Sequence, residues 1–172
     1  MLYSPLEMRF KLQAAMAEDV PDLVALRNAA AERRTSEYGQ GFWSAGVTEK
    51  GVLSAMRMGT VYIARYRRCA IATLTLSTRR PWAIDRKYFA ASKRPLYLTN
   101  MAVAPDAQGK GVGRLCLEGA RRIATEWPGD AIRLDAWDAA AGAGEFYRKC
   151  GFREVGRATY RTAPLVYFET IL

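Results

Sequence analysis

Seven residues, Gln108-Gly109-Lys110-Gly111-Val112-Gly113-Arg114, constrain this chain more than any others. They follow an extended apolar run, Leu96–Ala104, and a Pro105-Asp106 turn, and they open a helical pattern that continues to about Trp127. Glycines at 109, 111 and 113 let the backbone approach a ligand closely and turn its N–H groups inward. A helix start adds N–H donors without intrahelical acceptors and a partial positive charge. Lys110 and Arg114 add formal charge. The combination makes a cradle for a pyrophosphate on a strand–loop–helix corner. The spacing is not G-x-x-x-x-G-K-[ST], which excludes a P-loop. It is not G-x-G-x-x-G either, and no ribose-binding carboxylate follows at the usual distance, so a dinucleotide fold is disfavoured. The plain alternative is a glycine-rich turn that only caps a helix.

Composition narrows the chemistry. The 172 residues are half apolar and contain no histidine. A chain of this length fits one domain with a sizeable core. We expect a short extension over residues 1–8 and a single domain over residues 9–172. Without histidine, a Ser-His-Asp or Cys-His nucleophile, a histidine general base and a histidine-based zinc site are all excluded. Tyrosine, carboxylates, lysine, cysteine or backbone groups must carry any proton transfer. Cys69, Cys116 and Cys150 are widely spaced and odd in number, which suits reduced thiols and a cytoplasmic location better than a disulfide framework. No run approaches the roughly 18 to 20 apolar residues of a membrane helix, and residues 1–7 lack the pattern of a secretory signal. The net charge is +9, from 26 basic and 17 acidic residues. That charge points to an anionic partner. The basic residues are dispersed singly or in pairs, with no long basic run and no aromatic-basic motif of the RNA-binding kind.

Periodicity supplies the element order. An opening strand is expected over 9–15. A helix follows, with Asp19 as N-cap, Pro21 near its start and Leu23, Leu26 and Ala30 inward, to about Arg34. A second helix is expected over 47–58 with Val52, Leu53 and Met56 inward. Runs at 60–66 and 69–77 form a hairpin, and a longer connection spans 79–94. The central strand, 96–104, leads into the cradle. Its helix shows Val112, Leu115, Cys116, Gly119, Ala120, Ile123 and Ala124 on one face. A strand at 131–137, a helix at about 139–150 and strands at 152–160 and 164–172 complete the chain. The order β-α-α-β-β-β-α-β-α-β-β predicts an α/β fold: a mixed, mostly antiparallel sheet with helices on both faces.

Gln108-x-x-Gly111-x-Gly113 resembles the acetyl-CoA-binding motif of the GNAT superfamily of N-acetyltransferases. A second segment, Ala143-Gly144-Glu145-Phe146-Tyr147-Arg148-Lys149-Cys150-Gly151-Phe152, is similar to that superfamily's C-terminal signature, Ala-x-x-x-Tyr-x-x-x-Gly-Phe. The motifs stand in the family's order with the expected strand between them, and the resemblance covers nearly the whole chain. It implies acetyl transfer from acetyl-CoA to a primary amine, by direct attack in a ternary complex. It further implies that Tyr147 is the general acid for the CoA thiolate. The backbone of Met101, Ala102 and Val103 would pair with the pantetheine arm, between strands at 96–104 and 131–137 that splay apart. Gln108, Gly109, Lys110, Gly111, Val112, Gly113 and Arg114 would hold the pyrophosphate, with Ala143 and Phe146 beside the cofactor. No metal is implied, and the family's dimers leave room for a homodimer.

The chain also departs from the family. Ala140 stands where an asparagine often contacts CoA, with Asp138 as a substitute. The central strand has no glutamate, so the general base is open among Asp135, Asp138, Asp85 and Glu37. Trp43, Trp82, Asp85, Tyr97 and Trp137 are candidates to line the acceptor site, against the alternative that the aromatics are core. Two other functions stay open: a basic nucleic-acid-binding module that uses the glycine corner structurally, and a CoA-binding regulator without catalysis.

Overall fold

The computed structural model describes residues 10–172; the proposed extension and the first residue of the expected opening strand lie outside them. The elements are β1 (Leu12–Ala14), α1 (Val20–Tyr38), α2 (Glu49–Met58), β2 (Thr60–Tyr66), β3 (Cys69–Ser77), β4 (Pro95–Val103), α3 (Val112–Glu126), β5 (Ala131–Trp137), α4 (Gly144–Lys149), β6 (Arg153–Tyr160) and β7 (Ala163–Ile171). This is the expected order. The strands form one sheet in the order β1-β2-β3-β4-β5-β7-β6. Every neighbouring pair is antiparallel except β4 and β5. The connection between those two strands is α3, as a parallel pair requires. No described helix is long and apolar enough to cross a membrane.

Period-two alternation sorts the strand side chains onto two faces. On one face Ile132, Leu134 and Ala136 of β5 pack with Cys116, Leu117 and Ala120 of α3 and with Tyr147 of α4. On the other face Val61 and Ile63 of β2 pack against Val20 and Leu23 of α1 and Val52 of α2. Farther along that second face, Tyr97, Leu165 and Tyr167 gather around Ile84, with Trp137 against them. The sheet therefore separates α3 and α4 from α1 and α2.

Several local details differ from the sequence expectation. Helix α1 runs to Tyr38 and stops at Gly39, whose φ of 78° suits glycine. Asp19 does not cap it with its side chain; one oxygen accepts from the Met16 N–H and the other meets Arg65 at 2.6 Å. Helix α2 starts later than expected, because Thr48 Oγ1 accepts from Gly51 N–H and caps it there. Leu53 is 39% exposed while Val52 is buried. Docking on β2 turns the helix so that its inward stripe runs through Val52, Ala55 and Met56. In α3, Leu115 is exposed and Leu117 buried for the same reason. Helix α4 is short, since residues 138–143 form a turn-rich loop.

One buried ion pair fastens the long connection before β4. Arg133 Nε donates to Glu169 Oε2 at 2.8 Å, with both side chains almost fully buried. Arg133 Nη2 also donates to the Ala90 carbonyl, and Ala90 N–H donates to Glu169. Phe89 lies over the guanidinium at 5.0 Å. Strands β5 and β7 and the connection are thus held at one point. Removing one partner strands a desolvated charge, which costs about 3 to 5 kcal/mol. Arg133→Leu should lower stability in urea unfolding by about that much, and adding Glu169→Leu should recover most of the loss. Equal losses in the single and double variants would show that the pair is not what holds the connection.

Candidate functional site

Strands β4 and β5 pair over three positions only: Pro95 with Ala131, Leu96 with Ile132 and Tyr97 with Arg133. Beyond them β4 runs to Val103 and β5 to Trp137 without pairing. A parallel pair that separates mid-strand leaves main-chain groups facing a gap rather than each other. The gap opens into a cleft of about 680 Å³, bounded by α1, the end of β4, the loop before α3, the end of β5 and α4.

A bulge shapes the β4 side. Thr75 pairs with Thr99 and Thr73 with Ala102, so Asn100 and Met101 lie opposite one residue of β3. Asn100 takes φ of 54°, a left-handed conformation that asparagine tolerates better than most residues. Bulges re-aim side chains next to functional sites. Here Asn100 Oδ1 accepts from Arg27 Nη2 of α1 at 2.9 Å. Met101 lies on the side of α3, where a Cβ added at Gly113 would come within 3.7 Å of its Cε. Met101, Ala102 and Val103 all line the cleft.

The glycine loop forms the next wall. Gln108 Nε2 donates to the Val103 carbonyl at 2.9 Å and ties the loop to the end of β4. Lys110 Nζ donates to the Asp106 carbonyl at 2.7 Å. Gly109 and Gly111 have φ of 71° and 81°, with open space where a side chain would begin. No side chain among the described residues caps α3, so its first N–H groups are free of local partners there. Gly113 is required for a different reason. A Cβ there would sit 2.9 Å from Phe146 Cζ, so its absence lets α4 approach α3. Gln108, Gly109, Gly111, Val112, Gly113, Arg114, Ala143 and Phe146 line the cleft as one wall. Five basic side chains line it (Arg27, Arg33, Arg34, Arg114, Lys149) against one acidic, Glu37. The loop and the charge balance fit a pyrophosphate-bearing ligand.

Tyr147 reaches the gap from α4. Its ring is packed among Phe146, Phe152 and Phe168. Among the described residues its hydroxyl has one hydrogen-bond contact, donating to Met101 Sδ at 3.8 Å. Thioether sulfur is a weak acceptor, so the proton is not committed to a strong partner. Burial raises the hydroxyl's pKa well above the ordinary tyrosine value, and the charge of Asp135 raises it further. Asp135 stands two residues before Trp137, on the same face of β5. Its carboxyl is itself shifted upward by burial. Two of the remaining carboxylates are engaged elsewhere, and Glu37 lines the cleft. Asp138 pairs with Arg157 at 2.9 Å. Asp85 caps a short turn and pairs with Lys87 at 3.2 Å. Glu37 bears on the Tyr38 hydroxyl.

Of the candidate acceptor residues, Trp43 and Trp137 meet edge to face, with ring centroids 6.1 Å apart, and both line the cleft. Tyr97 is buried in the sheet core nearby and does not line the cleft. Trp82 is 86% exposed, and neither it nor Asp85 is among the lining residues. The connection that carries them is anchored at Ala90 and Ile84, which leaves its tip outside. Cys150 borders the cleft, but burial raises its thiol pKa, and burial pushes the Cys116 thiol up to about 12. Neither is a ready thiolate. Sequence inspection missed Arg27, Ala30, Ala31 and Arg34, the α1 side of the cleft. Their seven-residue spacing reads as one helical face, but two of the four are charged and resemble solvated surface until β5 is placed opposite.

The GNAT acetyltransferase domain model matches residues 57–154. No curated protein sequence matches the chain. Solved structures with the same fold include a GNAT-family acetyltransferase from Listeria monocytogenes, with a TM-score of 0.73 and 17% identity over 95% of each chain. A ribosomal-protein-alanine N-acetyltransferase from Brucella melitensis has a TM-score of 0.68 and 21% identity, over 94% of this chain and 99% of that one. An N-acetyltransferase from Staphylococcus aureus Mu50 has a TM-score of 0.69 and 15% identity, over 95% and 99%. At such identities the likeness is one of fold.

The buried Asp135 carboxyl has a measurable consequence. The folded state holds its proton more tightly than the unfolded chain does, because burial raises the folded pKa. Its contribution to stability is therefore full below the unfolded carboxyl's pKa and is lost as pH rises through the folded value. Asp135→Asn should unfold at a higher temperature than wild type at about pH 7, and the difference should vanish near pH 3, where both side chains are neutral. A gain that persists unchanged at low pH would mean that ionisation of Asp135 is not its cause.

Proposed function

The chain belongs to the GNAT acetyltransferases, and from that premise we propose that it moves an acetyl group from acetyl-CoA to a primary amine by direct attack in a ternary complex. The observation that carries this reading is the parting of β4 and β5, which joins the glycine loop to the Tyr147 hydroxyl through one continuous cleft. Gln108, Gly109, Gly111, Val112, Gly113 and Arg114 would hold the pyrophosphate, through free N–H groups at the start of α3 and the charge of Arg114, while Lys110, turned onto the Asp106 carbonyl, is not among the lining residues. The exposed main chain of Met101, Ala102 and Val103 would pair with the pantetheine amides. Acetyl-CoA supplies the activated thioester.

The chain's own groups then divide the proton chemistry. The amine must lose a proton to attack, the carbonyl oxygen gains charge, and the departing sulfur needs a proton. Tyr147 is a suitable acid because burial keeps its hydroxyl neutral and its only partner is a weak one. Asp135 is the base we favour among the four carboxylates, since its own proton affinity is raised and its charge bears on the Tyr147 hydroxyl, whereas Asp138 and Asp85 are paired; Glu37, which lines the cleft, is its rival. A base with a pKa moved toward the working pH accepts a proton with less loss of driving force. Backbone N–H at the Met101 bulge is the donor for the developing oxyanion.

Thermal unfolding with acetyl-CoA, with ATP and NAD as controls, tests the binding half. A ligand at about 100 times its Kd stabilises by roughly 2.7 kcal/mol. An upward shift for acetyl-CoA alone is expected, and no shift at millimolar ligand would remove the proposal. Thiol release with an amine panel tests the chemistry. Tyr147→Phe should lower kcat by about 10²- to 10⁴-fold with little change in the KM for acetyl-CoA. Undiminished kcat would strip Tyr147 of the acid role. Gly113→Val places carbon atoms against Phe146 and should instead weaken acetyl-CoA binding.

A further inference from the structure

The α1 wall of the cleft contains three guanidinium groups for which the acetyl-transfer reading has no use: Arg33, which is exposed to solvent, and the less exposed Arg27 and Arg34. Arg27 and Arg34 are seven residues apart on a continuous helix, about 10 Å along its axis. Between them Ala30 and Ala31 leave the wall low. Arg27 has a structural task, because it donates to Asn100 Oδ1 and braces the bulge. Arg34 has none of that kind. No carboxylate among the described residues forms an ion pair with it. Glu37 is one turn away, where an i,i+3 pair is possible, yet the Arg34 guanidinium lies over the Trp137 ring, 6.0 Å from its centroid. A guanidinium held over an indole in this way makes no hydrogen bond to the ring, so its N–H donors stay available.

Position then assigns the free edge. Arg34 stands on the α1 side of the sheet, whereas the glycine loop, Arg114 and Lys149 stand on the side of α3 and α4. It is therefore placed for the acceptor rather than the pyrophosphate. It is also near the reacting groups, since its charge is felt at the Tyr147 hydroxyl. An anion bound there would share the cleft with an amine poised beside Tyr147. The planar fork matches a carboxylate with two parallel hydrogen bonds, and the Trp137 indole gives it an apolar backing.

Resting on the acetyl-transfer reading, we infer that the acceptor is an amine carrying a carboxylate a few atoms away, an amino acid in the simplest case, and that Arg34 binds that carboxylate. Charge-assisted hydrogen bonds of this kind correspond to roughly ten- to a hundredfold in affinity.

The experiment compares the standard amino acids with their primary amides as ligands in thermal unfolding, with and without CoA, and adds phosphoethanolamine as a phosphate-bearing amine. At least one amino acid should bind roughly ten- to a hundredfold more tightly than its amide. Arg34→Gln should bring acid and amide together, and Arg34→Lys should keep part of the preference. The assignment is overturned if amides bind as well as acids, if the preference survives Arg34→Gln, if no amino acid shifts the transition at millimolar concentration, or if phosphoethanolamine outranks every carboxylate. Acetyl-CoA is titrated on the same proteins. A wild type that ignores acetyl-CoA defeats the acetyl-transfer reading, while the acid–amide comparison judges Arg34 separately. An acetyl-CoA shift retained in Arg34→Gln shows that this variant is folded.

Discussion

The site depends on two parallel strands that stop pairing after three residues. A sheet normally satisfies its main-chain groups internally, and β4 and β5 do so only from Pro95 to Tyr97 and from Ala131 to Arg133. The separation is stable because each strand is secured on its other edge. β4 is laddered to β3 and β5 to β7, the latter over the whole length of β5. The buried Arg133–Glu169 pair lies at the last paired position and fixes where separation begins. The resulting gap exposes unpaired backbone without loss of the fold, and a ligand with amide groups can use it.

Separation also explains the electrostatics. The gap connects the two faces of the sheet, so Asp135 on one face and Tyr147 against the other influence each other. Both are shifted toward their protonated forms by burial. In a closed sheet the core of β4 and β5 would stand between them. The bulge at Asn100 extends the same device, turning Asn100 toward α1 while Met101 stays with α3 and Tyr147. One irregular residue thereby links three elements of the cleft.

Sequence alone revealed what is locally determined. Gly109 and Gly111 are legible because positive φ and a helix start leave few other residue choices. The element order and the mixed sheet follow from periodicity and from the two motifs. Positions fixed by tertiary docking were not legible. Leu53 and Leu115 carry the right spacing for burial, but the phase of each helix is set by the surface it meets, and a small rotation exchanges one leucine for its neighbour. Trp82 shows the converse: an aromatic within a plausible segment stays outside because its loop is anchored elsewhere. Asp135 was one carboxylate among four until burial and pairing separated them.

Arginine is the residue class for which this limit matters most. In sequence, Arg27, Arg33 and Arg34 are indistinguishable arginines of a helix that also carries Asp22, Glu32 and Glu37. In the fold they diverge: Arg27 braces a bulge, Arg33 is exposed, and Arg34 leans on Trp137. The difference comes from partners brought in by β4 and β5, more than sixty residues away in the chain. A guanidinium left over a ring with its edge free is incompletely satisfied by its own protein, since aromatic stacking uses its face and none of its donors. In solvent, water would make up that deficit at little cost. Inside a half-buried cleft, over the Trp137 indole, water is a poorer substitute, and an anionic group delivered by a ligand is the complement that the geometry lacks.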